Sequence, residues 1–266
     1  MTARVVFACS GAADNVAAIP QLAEEFNAEV VALTLDLGQA GELEGTRQAA
    51  LGAGAVRAHV LDARDEFARC CIAASLGDAP AGYSPGHNVA CGLIARTLVE
   101  IARIESADLV AHGGSEEDHM EIEAAVRALD PSIRVLRTGT GRAHPPRAAH
   151  ATLWERPTAD PSTSIPKPEP DAPARLEIAF AAGLPVSING IPMSLPELIE
   201  SVSTIAGTHG VGRLLDTSGA AVHAPAAVVL RAAHDALGAD AAHAADARVC
   251  LELFKGQHRI LSSHHS

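Results

Sequence analysis

The sequence predicts an α/β protein in which a parallel sheet covered by helices is followed by a smaller α+β domain. Short apolar or β-branched runs alternate with amphipathic stretches over the first half of the chain. The first apolar run breaks into small residues just before a helical pattern, and paired strand-like runs replace the alternation in the second half. We therefore expect ligands to bind at the carboxyl ends of the parallel strands.

The strands and helices of the sheet domain can be placed from this alternation. Strands are predicted at residues 4–9, 29–36, 57–62, 107–111 and 133–136. Helices are predicted between them at residues 16–26, 43–51, 65–76 and 89–104. The loops at residues 10–15, 36–39 and 112–115 each follow a strand, so they are expected to meet at one crevice.

The rest of the chain divides into a proline-rich stretch and a second domain. We place the first domain at residues 1–140, a proline-rich linker or arm at 141–174 and the α+β domain at 175–266. Its strands are predicted at residues 175–180, 185–189, 249–254 and 260–261, and its helices at 194–205 and 226–237. Ser194 and Glu197 have the spacing of a capping box at the start of the first of these helices.

Composition limits the class of function. The chain has 266 residues, 48% of them hydrophobic, and a formal net charge of -12. The acidic balance opposes nucleic-acid binding, which needs lysine and arginine to neutralise phosphates. We expect no membrane span and no secretion signal, hence a cytoplasmic protein. Five cysteines without Cys-x-x-Cys spacing predict reduced thiols rather than a disulfide framework or a zinc site.

The loop after the first strand has the residues of an anion cradle. Small residues let backbone N–H groups converge on a phosphate, and the following helix adds the positive end of its dipole. The P-loop pattern is absent, and the only lysines, Lys167 and Lys255, lie far downstream. What remains is Ser10-Gly11-x-x-Asp14, which taken alone is as compatible with an ordinary tight turn.

This loop resembles the pyrophosphate loop of the ATP pyrophosphatases, and longer stretches resemble the argininosuccinate synthase family. The stretches are residues 32–39, 58–67, 93–102 and 111–113 in the first part, then 183–190, 205–213 and 253–256. The resemblance implies a Rossmann-like nucleotide-binding domain. It also implies a reaction in which ATP with Mg²⁺ adenylates the ureido oxygen of citrulline and the amine of aspartate then displaces AMP.

The resemblance also implies roles for particular residues. Nucleotide-binding positions would be Ala8, Ser10, Gly11, Ala12, Asp14, Asn15, Gln39, Gly113, Gly114 and Ser115. Tyr83 and Asp118 would face the substrate, and Mg²⁺ would arrive with ATP near Asp14 rather than at a metal site formed by the protein alone. Small-molecule substrates and a homo-oligomer are implied as well, without nucleic-acid or membrane partners.

Several positions depart from the family pattern. In the pyrophosphate loop, Ala12 replaces a glycine and Asn15 a threonine. Cys91 and Glu121 stand where the family has arginines, so two partners for substrate carboxylates are lost. The stretch 153–156 resembles a Leu-Trp-Gly-Arg arm, with Glu155 in the place of its glycine. Citrulline and aspartate are therefore poor candidates for the substrates.

Three hypotheses remain open from the sequence. The first is an AMP-forming C–N ligase with an altered, less anionic substrate pair. The second is a catalytically inactive homologue that acts as a partner or regulatory subunit. The third makes Cys91, or the pair Cys70 and Cys71, a sulfur carrier, although free cysteines are more often buried apolar residues.

Two smaller expectations concern aromatic residues. The cluster His258, His264 and His265 is expected to lie in a disordered tail. Trp154 packs either on a neighbouring subunit or against the second domain of its own chain.

Overall fold

The computed structural model describes residues 3–39, 42–76, 83–138, 151–157, 170–216, 221–238 and 246–265. The chain splits into two compact units, the first formed by Met1–Ala63 with Asn88–Pro146 and the second by Arg64–His87 with Arg147–Ser266. The second unit thus takes in a segment from the first half of the chain. The linear boundaries expected from the sequence do not include this discontinuity.

The elements follow one another in chain order. The first half contains β1 (Ala3–Ala8), α1 (Ala13–Glu25), β2 (Ala28–Asp36), α2 (Leu43–Gly52), β3 (Arg57–Asp62), α3 (Arg64–Leu76), β4 (Tyr83–Ser84), α4 (Gly86–Glu105), β5 (Leu109–His112), α5 (Glu116–Leu129) and β6 (Arg134–Arg137). The second half contains β7 (Arg156–Pro157), β8 (Ala174–Ala181), β9 (Leu184–Ile188), β10 (Ile191–Pro192), α6 (Leu195–Thr208), β11 (Arg213–Asp216), β12 (Ala221–His223), α7 (Pro225–Asp235), β13 (Ala247–Phe254) and β14 (Gln257–His265).

The first unit is a parallel sheet between helices, as the sequence predicts. Its five strands have the order β3-β2-β1-β5-β6, and every neighbouring pair is parallel. Val5 and Phe7 of β1 pack on one face with Ile19 of α1, while Val6 packs on the other face with Leu98 of α4. Strand order reverses between β1 and β5, so a crevice for ligands is expected at the carboxyl ends of these two strands.

Helix α5 was not predicted from the sequence. It carries Ile122 and Val126 into the core on the α4 side of the sheet. Ser115 and Asp118 form a capping box at its start. The pattern Ser-x-x-Asp followed by apolar residues four apart was therefore present in the sequence as a helix signal.

The second unit is α+β, also as predicted. An antiparallel sheet has the order β10-β9-β8-β13-β14, and a smaller sheet has the order β4-β11-β12-β7. The predicted capping box of Ser194 and Glu197 starts α6. Helix α3 packs against α6 and α7 in this unit, so the segment from the first half of the chain contributes a helix to the second core.

Two expectations about aromatic residues are decided by the structure. The expected histidine tail is wrong, because His258 and His264 lie on β14, paired antiparallel with β13. Both histidines are exposed, and the backbone pairing with β13 places them in a regular strand. Trp154 is 1% exposed within its own chain, which favours the interpretation that it packs against its own domain.

Among the helices that the structure describes, none combines the length and the apolar character needed to cross a membrane.

Candidate functional site

The loop after β1 leaves the sheet at Ser10. The backbone N–H of Cys9 donates to the carbonyl of Leu33 on β2 at 2.8 Å, and the carbonyl of Cys9 accepts from the Thr34 hydroxyl at 2.9 Å. Cys9 is thereby fixed to the neighbouring strand, and burial raises the pKa of its thiol. Ala8 ends the strand and Ser10 is exposed, so the candidate anion loop begins at a rigid anchor.

Gly11 makes the turn that redirects the chain toward α1. Its φ is +83°, in the left-handed region that side chains other than glycine adopt at a cost. A methyl group at Gly11 would also overlap the side chain of Thr46 on α2. Both the backbone angle and the packing therefore require glycine here.

Ala12 is the residue before α1 and shows no strain. Its φ of -61° and ψ of 145° are extended values that any residue adopts, so the change from the family's glycine leaves the backbone free to follow this path. Ala12 itself forms no side-chain cap hydrogen bond to the first turn of α1. Asp14 is the acidic residue of that turn, and its carboxylate accepts from the N–H of Asn15 at 3.0 Å.

Asn15 joins the β1 loop to the β5 loop. Its Nδ2 donates to the hydroxyl oxygen of Ser10 at 2.6 Å. On its other side, its Oδ1 lies against Gly113, where an added methyl group would overlap it. The side chain is 9% exposed. Asn15 is thus a spacer that fits only because residue 113 is glycine.

Gln39 is engaged within its own turn after β2. Its Nε2 donates to the carbonyl of Leu35 at 2.6 Å, and its Oε1 accepts from the N–H of Leu37 at 2.7 Å. The next amide, that of Gly38, donates to the Asp36 carboxylate at 2.9 Å. The side-chain amide therefore closes the loop after β2, and its contact with a nucleotide stays a prediction.

The loop after β5 is closed by its own side chains. The N–H of Ser115 donates to Asp118 Oδ2 at 2.7 Å, and the N–H of Asp118 donates to the Ser115 hydroxyl at 3.2 Å. A methyl group at Gly114 would lie 2.7 Å from Asp118 Oδ2, so this residue too must be small. Asp118, predicted to face a substrate, is buried and caps α5; its role toward a substrate stays a prediction.

A histidine pair behind this loop was not identified from the sequence. The N–H of Gly114 donates to His112 Nδ1 at 3.1 Å, so the proton of neutral His112 is on Nε2. That Nε2 lies 3.1 Å from His119 Nδ1, and the two rings are stacked. Burial, together with the neighbouring His119, lowers the pKa of His112 to about 4. Neutral His112 therefore holds the β5 loop at physiological pH.

Most of the positions named from the sequence lie in the first unit. Those that belong to the first unit are Ala8, Ser10, Gly11, Ala12, Asp14, Asn15, Gln39, Gly113, Gly114, Ser115 and Asp118. Direct packing links the loops after β1 and β5 through Asn15. Tyr83 is in the second unit, on β4, where its backbone pairs with β11.

The positions that depart from the family pattern fall into different environments. Cys91 is 5% exposed and belongs to the apolar core of the first unit. Glu121 is half-buried on α5. In the second unit Cys71 is buried, and burial raises the pKa of its thiol well above the usual value. A persulfide carrier needs an accessible thiolate, so these environments speak against Cys71 and Cys91 as sulfur carriers.

Comparison with known proteins gives consistent matches in both parts of the chain. A model described as the arginosuccinate synthase N-terminal HUP domain matches residues 4–144, and one described as the arginosuccinate synthase C-terminal domain matches residues 147–249. Argininosuccinate synthase of Symbiobacterium thermophilum is 36% identical over 88% of this chain and 71% of its own length. That of Pyrobaculum aerophilum is 33% identical over 87% of this chain and 70% of its own.

The two family models cover most of the chain in the order of its predicted domains, and the parallel sheet of the first unit is the fold expected from the first model. The chain therefore belongs to the argininosuccinate synthase family.

Proposed function

We propose that this chain binds ATP with Mg²⁺ at the loop between β1 and α1 and acts as an AMP-forming C–N ligase on an altered substrate pair. The observation that carries the proposal is the start of α1, where Ala12, the residue before the helix, forms no side-chain cap hydrogen bond. Amide groups at such a helix start favour an anion. Family membership is the reason for proposing ATP as the ligand, and the loop between β1 and α1 is the proposed site for its phosphates.

The residues of the loop fit a phosphate chain in three respects. Gly11 turns in the left-handed region, Ser10 is an exposed hydroxyl, and Asp14 is an exposed carboxylate within the same short stretch. A carboxylate is a ligand that Mg²⁺ prefers. We assign Ser10, Gly11 and Ala12 to the phosphates and Asp14 to the magnesium that accompanies them.

The second loop has a supporting role in this proposal. Bound ATP would supply the adenylyl group that activates an oxygen of one substrate. Gly113, Gly114 and Ser115 would line the nucleotide, and Asn15 would keep their loop at a fixed distance from Ser10. Because neutral His112 accepts from the Gly114 amide, the loop after β5 is held in place without a positive charge next to the site.

The substrate pair is inferred from the departures. Cys91 lies in the apolar core and has no charge to offer a carboxylate. Glu121 repels one. We therefore propose acceptors with fewer carboxylates than citrulline and aspartate, with Tyr83 and Asp118 on the substrate side.

Family membership also leads us to propose a homo-oligomer, which light scattering tests. A cytoplasmic location stays a prediction.

A catalytically inactive partner or regulatory subunit is the alternative. The observation that favours it is Cys91, which is 5% exposed in the core and offers no positive charge where the family pattern has an arginine. An inactive homologue would keep the fold and release no pyrophosphate with any substrate. Purified protein that turns over a substrate pair would exclude this alternative.

The first experiment is isothermal titration with ATP and magnesium. Wild type is expected to bind, and Asp14→Asn is expected to weaken binding about tenfold or more in magnesium. Asp65→Asn is the matched control, because Asp65 is likewise an acidic residue in the first turn of a helix, α3. Equal binding by Asp14→Asn and wild type would contradict the role of Asp14, and absence of binding by wild type would contradict the proposal.

The second experiment measures pyrophosphate release. The protein, ATP and magnesium are incubated with pairs drawn from amino acids, amines and ureas, including citrulline with aspartate. We expect turnover with a pair that carries fewer carboxylates, and none or much less with citrulline and aspartate. A preference for citrulline and aspartate would overturn the altered substrate pair.

A further inference from the structure

A buried carboxylate in the second unit is not explained by the proposed ligand contacts. Glu155 is 6% exposed and follows the buried Trp154. Its backbone is fixed, because its N–H donates to the Thr152 hydroxyl at 3.2 Å and its carbonyl accepts from the N–H of Thr152 at 2.8 Å. The direction of the side chain is therefore determined by a tight and buried turn.

The carboxylate of Glu155 lies over the first residue of α4. A methyl group at Gly86 would lie 2.6 Å from Cδ, 2.7 Å from Oε2 and 2.9 Å from Oε1 of Glu155. The hydroxyl of Ser84, which is fully buried, donates to Oε2 of the same carboxylate. Glu155 thus fills the space that the absent side chain of Gly86 leaves.

The start of α4 and the Ser84 hydroxyl can stabilise the negative charge of the buried Glu155 carboxylate. A negative group at a helix start is stabilised by the helix dipole, and a buried charge needs such partners to offset its desolvation. The negative charge of Glu155 also contributes to raising the pKa of the Cys71 thiol in the same unit. The start of α4, with Ser84, is therefore a place built to hold a carboxylate.

The sequence pattern of the family differs at this position. In the Leu-Trp-Gly-Arg arm that residues 153–156 resemble, Glu155 stands where glycine stands. A glycine at this position has no side chain that could reach Gly86. This chain places a carboxylate of its own there.

We propose that Glu155 is an internal carboxylate that occupies the start of α4 and excludes carboxylate-bearing groups from the segment at residues 83–86. Glu155 is then a specificity-determining residue: the substrate group that meets this segment carries no negative charge. The link to substrates rests on the proposed function, which assigns Tyr83 of this segment to the substrate side. Occupancy of the helix start by Glu155 is testable without any reaction.

The first test is binding of acetate to Glu155→Gly, which empties the place. Thermal unfolding is followed in sodium acetate and in sodium chloride at equal ionic strength. We expect acetate to raise the Tm of Glu155→Gly saturably, with binding about tenfold or more tighter than to wild type. Glu155→Gln is the matched control, because it fills the same volume without the charge and is expected not to respond. The same acetate response in wild type, or no response in a folded Glu155→Gly protein, would overturn the inference.

The second test keeps the inference falsifiable if Glu155→Gly does not fold. In wild type, Gly86→Ala places a methyl group against the carboxylate and is expected to lower the Tm. In a Glu155→Ala background the same change meets free space and is expected to cost little or nothing. Equal costs in the two backgrounds would show that the carboxylate does not occupy this place.

Substrate selection is then measured with Glu155→Gly in the pyrophosphate-release assay. Acceptors with a carboxylate are expected to gain relative to wild type, while titration with ATP and magnesium is unchanged. Acetate binding without turnover by any variant would retain the occupancy and contradict the proposed ligase. Turnover with unchanged acceptor preference in Glu155→Gly would contradict the specificity role of Glu155.

Discussion

The junctions between β1 and α1 and between β5 and α5 share one design and differ in what satisfies the start of the helix. Both follow adjacent central strands of a parallel sheet, and both pass through glycines. At α5, Ser115 and Asp118 cap the first turn reciprocally. At α1, Ala12 has no side-chain oxygen and forms no cap hydrogen bond, and the Asp14 carboxylate accepts from one first-turn amide, that of Asn15.

The charges of the two helix starts differ in the same sense. The first turn of α5 carries Glu116, Glu117 and Asp118, whereas that of α1 carries Asp14 alone. A phosphate would be repelled by the three acids at α5 and would meet fewer negative charges at α1. The start of α5 is satisfied by its own capping box, whereas the start of α1 has no N-cap side chain, and this difference is why we propose the phosphate site at α1.

The largest expected effect concerns His112, which holds the loop after β5. His112 stays neutral in the folded protein down to about pH 4, whereas the unfolded chain takes up the proton near pH 6.5. Between these values the unfolded state binds more protons, so the free energy of unfolding falls as the pH falls. Over this window His112 should cost about 3 kcal/mol of stability, to be measured by denaturant unfolding at pH 7 and pH 4.

The control for this effect is His112→Asn. Asparagine keeps an acceptor for the Gly114 amide and cannot titrate in this range. The variant should lose less stability than wild type between pH 7 and pH 4. An unchanged pH dependence would show that His112 is not the buried neutral group.

The next effect tests the spacer between the two loops. Gly113→Ala would press a methyl group against Asn15, whose amide is fixed by its bond to Ser10. We expect a loss of about 2 kcal/mol in unfolding free energy, typical of overpacking. The same change in an Asn15→Ala background should cost much less, and equal costs would contradict the contact between the loops.

A smaller effect is expected from the cap of α5. Ser115→Ala removes the oxygen that accepts from the Asp118 amide and should cost about 1 kcal/mol in chemical denaturation. Ser115→Asp restores an acceptor and should recover most of the loss. Full stability in Ser115→Ala would mean that the loop after β5 does not depend on the capping box of α5.

The smallest effect on stability has the opposite sign and sharpens the comparison. Ala12→Asp gives α1 the kind of cap that α5 already has, and it should raise the unfolding free energy by about 0.5 to 1 kcal/mol. The added acid should at the same time weaken ATP binding at least about tenfold, because it occupies and charges the helix start. Calorimetry and denaturant unfolding of the same preparation measure both. A more stable variant with unchanged ATP affinity would contradict the role of α1.

The sequence predicted the three inner strands of the sheet well because β1, β2 and β5 are mostly buried and apolar, whereas the edge strands β3 and β6 are at most partly buried. Residues 57–62 were predicted with the observed bounds of β3, and the other strands of this sheet deviate by a residue or two. Runs as apolar as the inner strands are recognised from their hydrophobicity alone. The two strands of the hairpin formed by β8 and β9 were also predicted, and its turn at Ala182 and Gly183 takes positive φ.

What the sequence could not predict depends on contacts between distant residues. The fit of Asn15 against Gly113 and of Thr46 against Gly11 joins positions far apart in the chain. The pairing of His112 with His119 requires α5, which was itself missed. The inclusion of residues 64–87 in the second unit leaves no local signal, since α3 follows β3 as any crossover helix would.

Titration of the isotope-labelled protein with magnesium and ATP, followed amide by amide in ¹H–¹⁵N NMR spectra, tests the central claim most directly. We expect saturable shifts that are largest at Ser10 to Asn15, smaller at Gly113 to Ser115, and greatly reduced in Ala12→Asp. Spectra that do not change with ATP, or shifts centred on the first turn of α5, would contradict it.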